Sequence, residues 1–241
     1  MATLRHASSL EPETRKLRRG PLTRKQILDA SLRLFSEKGF ARTSVRDIAQ
    51  AAGITDAAIY YHFASKRDLF EALIDERGFA AALEGLERIE VTVGSREAIT
   101  GIAIGAPDHP LHAIVAQAPG PREAITSIAI AALEFIYSNR DLMKVLMLEA
   151  MAQDQVAAEE YRLLFQRWQN AEARILRQYA EHGQLRTEAI DELATQLVLT
   201  VLGALADFLM KPPTAPPSDR PPADLVRHVE AAMKHIVQGI T

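Results

Sequence analysis

The stretch Ser44-Val-Arg-Asp-Ile-Ala-Gln-Ala-Ala-Gly-Ile-Thr-Asp-Ala-Ala-Ile-Tyr-Tyr-His-Phe63 decides how this chain is read. Ser44 with Asp47 three residues on has the pattern of a capping box with a short carboxylate, and Thr55 is an N-cap candidate. Gly53 follows an apolar-periodic run, where a left-handed residue ends a helix without a Cβ penalty. The spacing predicts a helix, a Gly-centred turn and a second helix over residues 44–63. That is a helix-turn-helix, whose second helix is slim enough for a major groove roughly 12 Å wide. Thr55, Asp56 and Ala57 open the second helix with small or polar side chains that allow close approach to base edges. Tyr60, Tyr61 and His62 follow with donors of phosphate reach. Thr43 and Ser44 place hydroxyls and free amides at the start of the first helix, a seat for phosphate, and Lys66 can reach another.

Outward from this stretch the same grammar continues. Thr23 with Gln26 reads as a capping box that starts a helix, and Ser65 with Asp68 starts another. Ile27, Leu34, Phe35, Val45, Ile48, Ala49, Ile54, Ile59, Phe63, Leu69 and Phe70 fit one small shared core. Residues 20 to about 70 are therefore a domain candidate. Ahead of it, residues 1–21 read as a flexible basic arm in which Arg15, Lys16, Arg18 and Arg19 can track a nucleic-acid backbone or minor groove.

The 241 residues are 48% hydrophobic and 24% charged, which suits one or two globular domains and excludes disorder and low-complexity classes. The net charge of −3 is misleading as a sum. Residues 1–67 hold 13 Lys and Arg against 6 Asp and Glu, a net +7, and the remainder carries −10. A basic head on an acidic body is the charge distribution of a protein that presents one face to DNA. With no cysteine, disulfides, thiolate metal sites and cysteine nucleophiles are excluded. No Gly-rich phosphate loop, Gly-x-Ser-x-Gly elbow or His-Glu-x-x-His occurs, so an enzyme is not expected. A helical adaptor without DNA function is the other class to exclude. No membrane span and no signal peptide are read, and a cytoplasmic location is expected.

The motifs Ile27-Leu-Asp-Ala, Leu34-Phe35, Gly39-Phe40, Thr43-Ser-Val, Asp47-Ile-Ala, Ala52-Gly-Ile-Thr, Ile59-Tyr-Tyr-His-Phe63 and Ser65-Lys66 resemble the N-terminal domain of the TetR family of bacterial transcriptional regulators. The resemblance covers about residues 22–80 and implies a three-helix DNA-binding domain there. It implies a homodimer, probing a near-palindromic double-stranded DNA operator with two recognition helices, whose repression is lifted by a small-molecule effector in the C-terminal domain. The family's DNA-contacting positions carry over to Thr43, Ser44, Thr55, Asp56, Ala57, Tyr60, Tyr61, His62 and Lys66, with Arg18 and Arg19 added from the basic arm. Asp56 departs from the commoner choices there. Its carboxylate can accept from a cytosine amino group or favour the helix N-terminus.

Residues 81–241 are expected to be all-α, an effector-binding and dimerisation domain with no cofactor and no metal. A helix from Lys66 to about Arg88 reads as a lever out of the head. Periodicity then predicts helices over 125–137, 141–153, 156–182, 187–210 and 225–237, with a Pro-rich segment at 211–222. The segment 96–106 recurs as 122–132 with nine of eleven positions identical. It is either a local duplication or two walls of one cavity. The helices over 156–182 and 187–210 carry apolar stripes: Leu164, Trp168, Ile175 and Tyr179 on the first, Leu197, Val201, Ala204 and Phe208 on the second. Paired across a two-fold axis they would make a four-helix interface; the alternative is intrachain core. For the small, largely apolar effector the candidates are Met143, Met147 and Met151 at i, i+4, i+8, with Phe135, Tyr137, Trp168 and Gln117. Asp108, His109 and His112 have a spacing that could hold a metal but read as surface.

Overall fold

The computed structural model describes residues 12–89, 118, 120–152, 154–186, 188–211 and 218–238, with side chains from residue 23 onward. Among them the fold is all-α, as the sequence predicts, with no strand. The chain divides into two compact units, Met1–Leu73 and Ile74–Thr241, a boundary seven residues earlier than the one expected after residue 80.

In the first unit, α1 (Pro12–Lys38), α2 (Val45–Ala52), α3 (Asp56–His62) and α4 (Lys66–Glu76) follow one another through tight turns. The backbone of residues 12–21, expected as a flexible arm, is helical and continuous with α1, and residues 1–11 lie outside the description. Thr23 therefore sits inside a helix and has no N-cap role. Pro21 removes one backbone donor but its fixed φ is helical, so the turn on either side carries the helix through. The core of the unit is aromatic. Phe35, Phe40 and Phe70 meet with ring centroids 4.8–5.9 Å apart, and Ile27, Ile48, Ile59 and Leu69 are fully buried around them. Val45 and Ile54, assigned to that core from periodicity, are only half-buried.

The second unit holds α5 (Phe79–Glu87), α6 (Pro121–Ser138), α7 (Arg140–Met151), α8 (Gln155–Glu181), α9 (Ile190–Met210) and α10 (Ala223–Val237). The expected single helix over residues 66–88 is two. Gly78, at φ 78°, breaks it, because a left-handed residue cannot continue an α-helix. The helix α8 packs on α5, α7 and α9, while α6 packs on α9 and α10, so the bundle is built around the α8 and α9 pair. By length and composition α9 is apolar enough to cross a membrane, a correction to the reading that no stretch approaches a span. Leu193, Leu197, Val198, Val201 and Leu205 account for that apolarity, and all are buried in the bundle. The first repeat copy, 96–106, lies outside the described residues, as do Gln117, Asp108, His109 and His112; the second copy forms the first two-thirds of α6.

Gly53 holds φ 69°, and a Cβ built there would meet nothing within 4 Å. The cost of a side chain is thus conformational alone. Gly53→Ala is expected to lower the unfolding free energy by about 1–2 kcal/mol and Gly53→Asn by less, measured by urea denaturation.

Candidate functional site

The helix-turn-helix is fixed by an N-cap on each of its two helices. Ser44 is the N-cap of α2: its hydroxyl accepts the Asp47 amide at 3.1 Å, while the Asp47 carboxylate accepts the Ser44 amide at 2.9 Å and hydroxyl at 2.6 Å. These bonds, the hydroxyl's first, hold the Asp47 carboxyl below the usual carboxylate range. The box is therefore intact at neutral pH and loosens only in acid. After Gly53, Thr55 caps α3, its Oγ1 accepting the Ala58 amide at 3.3 Å. Ile59 and Phe63, 1% and 2% exposed, pin α3 to the core.

The opposite face of α3 is open. Asp56, Ala57, Tyr60 and Tyr61 fall at i, i+1, i+4 and i+5, one face of a helix. All four are exposed, Tyr60 to 57% and Tyr61 to 86%. Ser44 and Thr55 are exposed beside them in sequence, and His62 is half-buried with its ring edge-on to Tyr61 at 5.2 Å. This is a presented surface of hydroxyls, a carboxylate and a methyl group, suited to base edges and phosphates.

Two expected contacts belong to the scaffold instead. Thr43 is 1% exposed and its hydroxyl donates to the Gly39 carbonyl at 2.7 Å. The Lys66 ammonium donates to the carbonyls of Phe40 at 2.8 Å and Thr43 at 3.1 Å, and lies 4.2 Å from the Phe40 ring centroid. Both residues tie down the turn between α1 and α2, which leaves carbonyls for a donor to satisfy. The side chains of Arg18 and Arg19 lie outside the description, though their backbone is in α1. The sequence reading passed over Arg42 and Arg46, both exposed and bracketing the start of α2; basic residues flanking an N-cap were the available signal.

In the second unit a cavity of about 430 Å³, open on one side, is lined by residues of α5, α6, α7, α8 and α9. Of the expected effector residues, Phe135, Met143 and Trp168 line it. Tyr137 does not: it is buried with its ring 5.6 Å from Phe208. Met147 is half-buried off the wall and Met151 is 74% exposed. A four-residue step turns a helix by about 40° beyond a full circle, so three methionines spaced by four leave the common face by the third. The sequence reading missed Phe79, Leu83 and Leu86, which come from α5 and enter because the helix breaks at Gly78. It also missed Tyr161 and Phe165 on α8, one turn apart with nearly parallel rings 6.3 Å apart. Burial raises the Tyr161 pKa, so the phenol stays protonated.

The stripes assigned to a dimer interface are used within the chain. Trp168, Ile175, Tyr179, Leu197, Val201 and Ala204 are each at most 7% exposed. Leu164 and Trp168 line the cavity, and half-buried Phe208 packs on Tyr137. What α9 leaves outside is a different face: Leu199 at 52% and Met210 at 75% exposed, with exposed Gly203 between them. Leu163 on α8 is 41% exposed.

Glu172 is the unexpected group. It follows Trp168 by one turn of α8, is 2% exposed, and its Oε2 has no hydrogen-bond partner. The Trp168 indole nitrogen, also buried, has none either. Burial pushes the Glu172 pKa from 4.5 up to about 7. The fold favours its neutral form, so stability is highest below pH 4.5, falls as the unfolded chain ionises, and levels off above about 7. The total loss is about 3 kcal/mol. Glu172→Gln is expected to remove most of it, gaining stability over the wild type at pH 8 but not at pH 4, in urea unfolding at the two pH values.

Residues 27–73 match the family model described as bacterial regulatory proteins, tetR family. The chain is 55% identical over 51 residues to the HTH-type transcriptional regulator AcrR of Shigella flexneri, covering 21% of this chain and 24% of that protein. It is 45% identical over 73 residues to the HTH-type transcriptional repressor KstR2 of Rhodococcus jostii (strain RHA1), covering 30% and 34%. It thus spans between a quarter and about a third of these relatives' length. The fold is shared more widely. The SmeT–triclosan complex, SmeT being the repressor of the Stenotrophomonas maltophilia multidrug efflux pump SmeDEF, superposes with a TM-score of 0.63 at 24% identity, covering 91% of this chain and 92% of that one. The transcriptional regulator FadR from Bacillus subtilis in complex with stearoyl-CoA gives 0.63 at 19% identity, covering 90% and 99%.

Proposed function

We propose that this chain, whose residues 27–73 form a tetR-family domain and whose fold is that of tetR-type regulators, is a cytoplasmic, non-enzymatic transcriptional repressor that binds a near-palindromic operator as a homodimer. The observation that carries the reading is the exposed face of α3, with Tyr60 and Tyr61 in solvent on a helix whose other side is locked into an aromatic core. Bare aromatic surface of this kind needs a partner, and the net +7 of residues 1–67 makes that partner an anion. Ser44, Thr55, Asp56, Ala57, Tyr60, Tyr61 and His62 are the proposed operator contacts, joined by Arg42 and Arg46 on phosphates. Thr43 and Lys66 act by holding the turn that presents them. Arg18 and Arg19 remain proposed phosphate contacts from the first helix.

The effector site is the cavity of the second unit, whose walls are apolar and aromatic and whose size suits a drug-sized ligand. Related folds whose names record stearoyl-CoA and triclosan as ligands support this use. The homodimer forms through the outer faces of α8 and α9, where Leu163, Leu199 and Met210 are exposed and Gly203 admits close approach.

A gel shift on the protein's own upstream DNA is expected to show binding at low salt that weakens steeply as salt rises. Tyr60→Ala or Thr55→Ala is expected to cost about 1–3 kcal/mol on the operator and little on unrelated DNA, whereas Arg46→Ala weakens both alike. No shift at low salt ends the reading. Leu199→Glu is expected to convert a dimer to a monomer in sedimentation analysis and to abolish the shift; a variant that stays dimeric removes α9 from the interface.

A further inference from the structure

We propose that the cavity of the second unit selects a lipophilic cation, an ammonium group carried on an apolar skeleton. This rests on the reading of that cavity as the effector site and names the chemistry it takes.

The first observation is the balance of charge on the wall. Glu134 on α6 lines the cavity, and among the described lining residues there is no Lys, Arg or His. The other polar groups, Ser138, the Tyr161 hydroxyl and the Trp168 indole N–H, are neutral. Among these described residues an anionic head group would meet a carboxylate and no cation, which disfavours fatty acids and acyl phosphates. The second observation is the density of rings. Phe79, Phe135, Tyr161, Phe165 and Trp168 all border the space, and Phe79 packs edge-to-face on Phe135 at 5.0 Å. Aromatic faces attract cations through the ring quadrupole, most strongly where water is excluded. The third is Glu172. It stands one turn beyond Trp168 on the face of α8 that also presents Tyr161 and Phe165, buried and with an oxygen that nothing satisfies. Glu172 lies behind the lining residues, where once ionised it complements a positive charge held near Trp168, and exposed Glu134 is the carboxylate on the wall itself.

Dodecyltrimethylammonium, dodecanol and dodecanoate share one chain and differ only in head-group charge, and the first stays charged at every pH. Each is titrated into the full chain below its aggregation limit. Trp168 is the only tryptophan of the 241 residues, so its fluorescence reports occupancy of this cavity directly, with calorimetry as the second readout. The expected order is the ammonium at least tenfold tighter than the alcohol, with the carboxylate weakest. Glu134 is exposed, so Glu134→Gln should leave the fold and the alcohol affinity unchanged while narrowing the ammonium-to-alcohol ratio at least threefold. Glu172→Gln should narrow it too. Equal or tighter binding of dodecanoate overturns the proposal, as does an unchanged ratio in both variants; in those outcomes the cavity is still an effector site. Silence from all three ligands overturns the effector-site reading along with it.

Discussion

A helix of seven residues has no stability of its own in water, since the cost of nucleation exceeds what its few backbone hydrogen bonds return. Everything α3 presents to the outside therefore depends on what holds it from behind and at its ends. Ile59 and Phe63 supply the burial, Thr55 the N-cap, and Gly53 the left-handed turn that delivers the chain to that cap. The same constraint propagates to α2, eight residues long and closed by the Ser44–Asp47 box. It reaches the turn before α2 through Lys66, whose ammonium satisfies two carbonyls that no helix amide can reach. The surface is precise because the scaffold behind it is over-determined.

The pattern of caps and glycines made the head legible in the sequence, because each of those signals acts over three or four residues. Burial at Phe35, Ile48, Ile59 and Phe70 was legible for the same reason. The roles of Thr43 and Lys66 were not. A hydroxyl or an ammonium donates equally well to a backbone carbonyl and to a phosphate oxygen, and local sequence does not tell which oxygen is near. The carbonyls at Gly39, Phe40 and Thr43 are brought to those donors by the fold, with Lys66 arriving from twenty-six residues beyond Phe40. The helical run over residues 12–21 was not legible either, because Gly20 and Pro21 are weak helix formers by local signal and it is the neighbouring turns that carry the helix on.

In the second unit helix existence was readable and helix assignment was not. An apolar stripe at helical period states only that a face is withdrawn from water. Whether the cover is the same chain, a second copy or a ligand is a fact about tertiary structure. The single stripe of α8 serves two of these at once: Leu164 and Trp168 border the cavity, while Ile175 and Tyr179 are sealed by the chain itself. The break at Gly78 decided the other half of the cavity. Read as one helix, residues 66–88 carry no wall; read as two, α5 is free to place Phe79, Leu83 and Leu86 there.

The same unit carries a feature that works against its own stability, an acid buried with an oxygen that has no hydrogen-bond partner. An ionised Glu172 is a charge withdrawn from water without compensation. A ligand that complements it binds the folded unit and not the unfolded chain. At a hundred times its Kd such a ligand adds about 2.7 kcal/mol, comparable to what Glu172 costs above neutrality. A body left short of its optimum by that amount is one whose conformational equilibrium a small molecule can shift, because a ligand moves an equilibrium only by its difference in affinity for the two states. A bundle with every buried group satisfied would be more stable and would offer the ligand no such difference. On the proposed function, the unsatisfied acid in the core is the means by which binding in the second unit is felt.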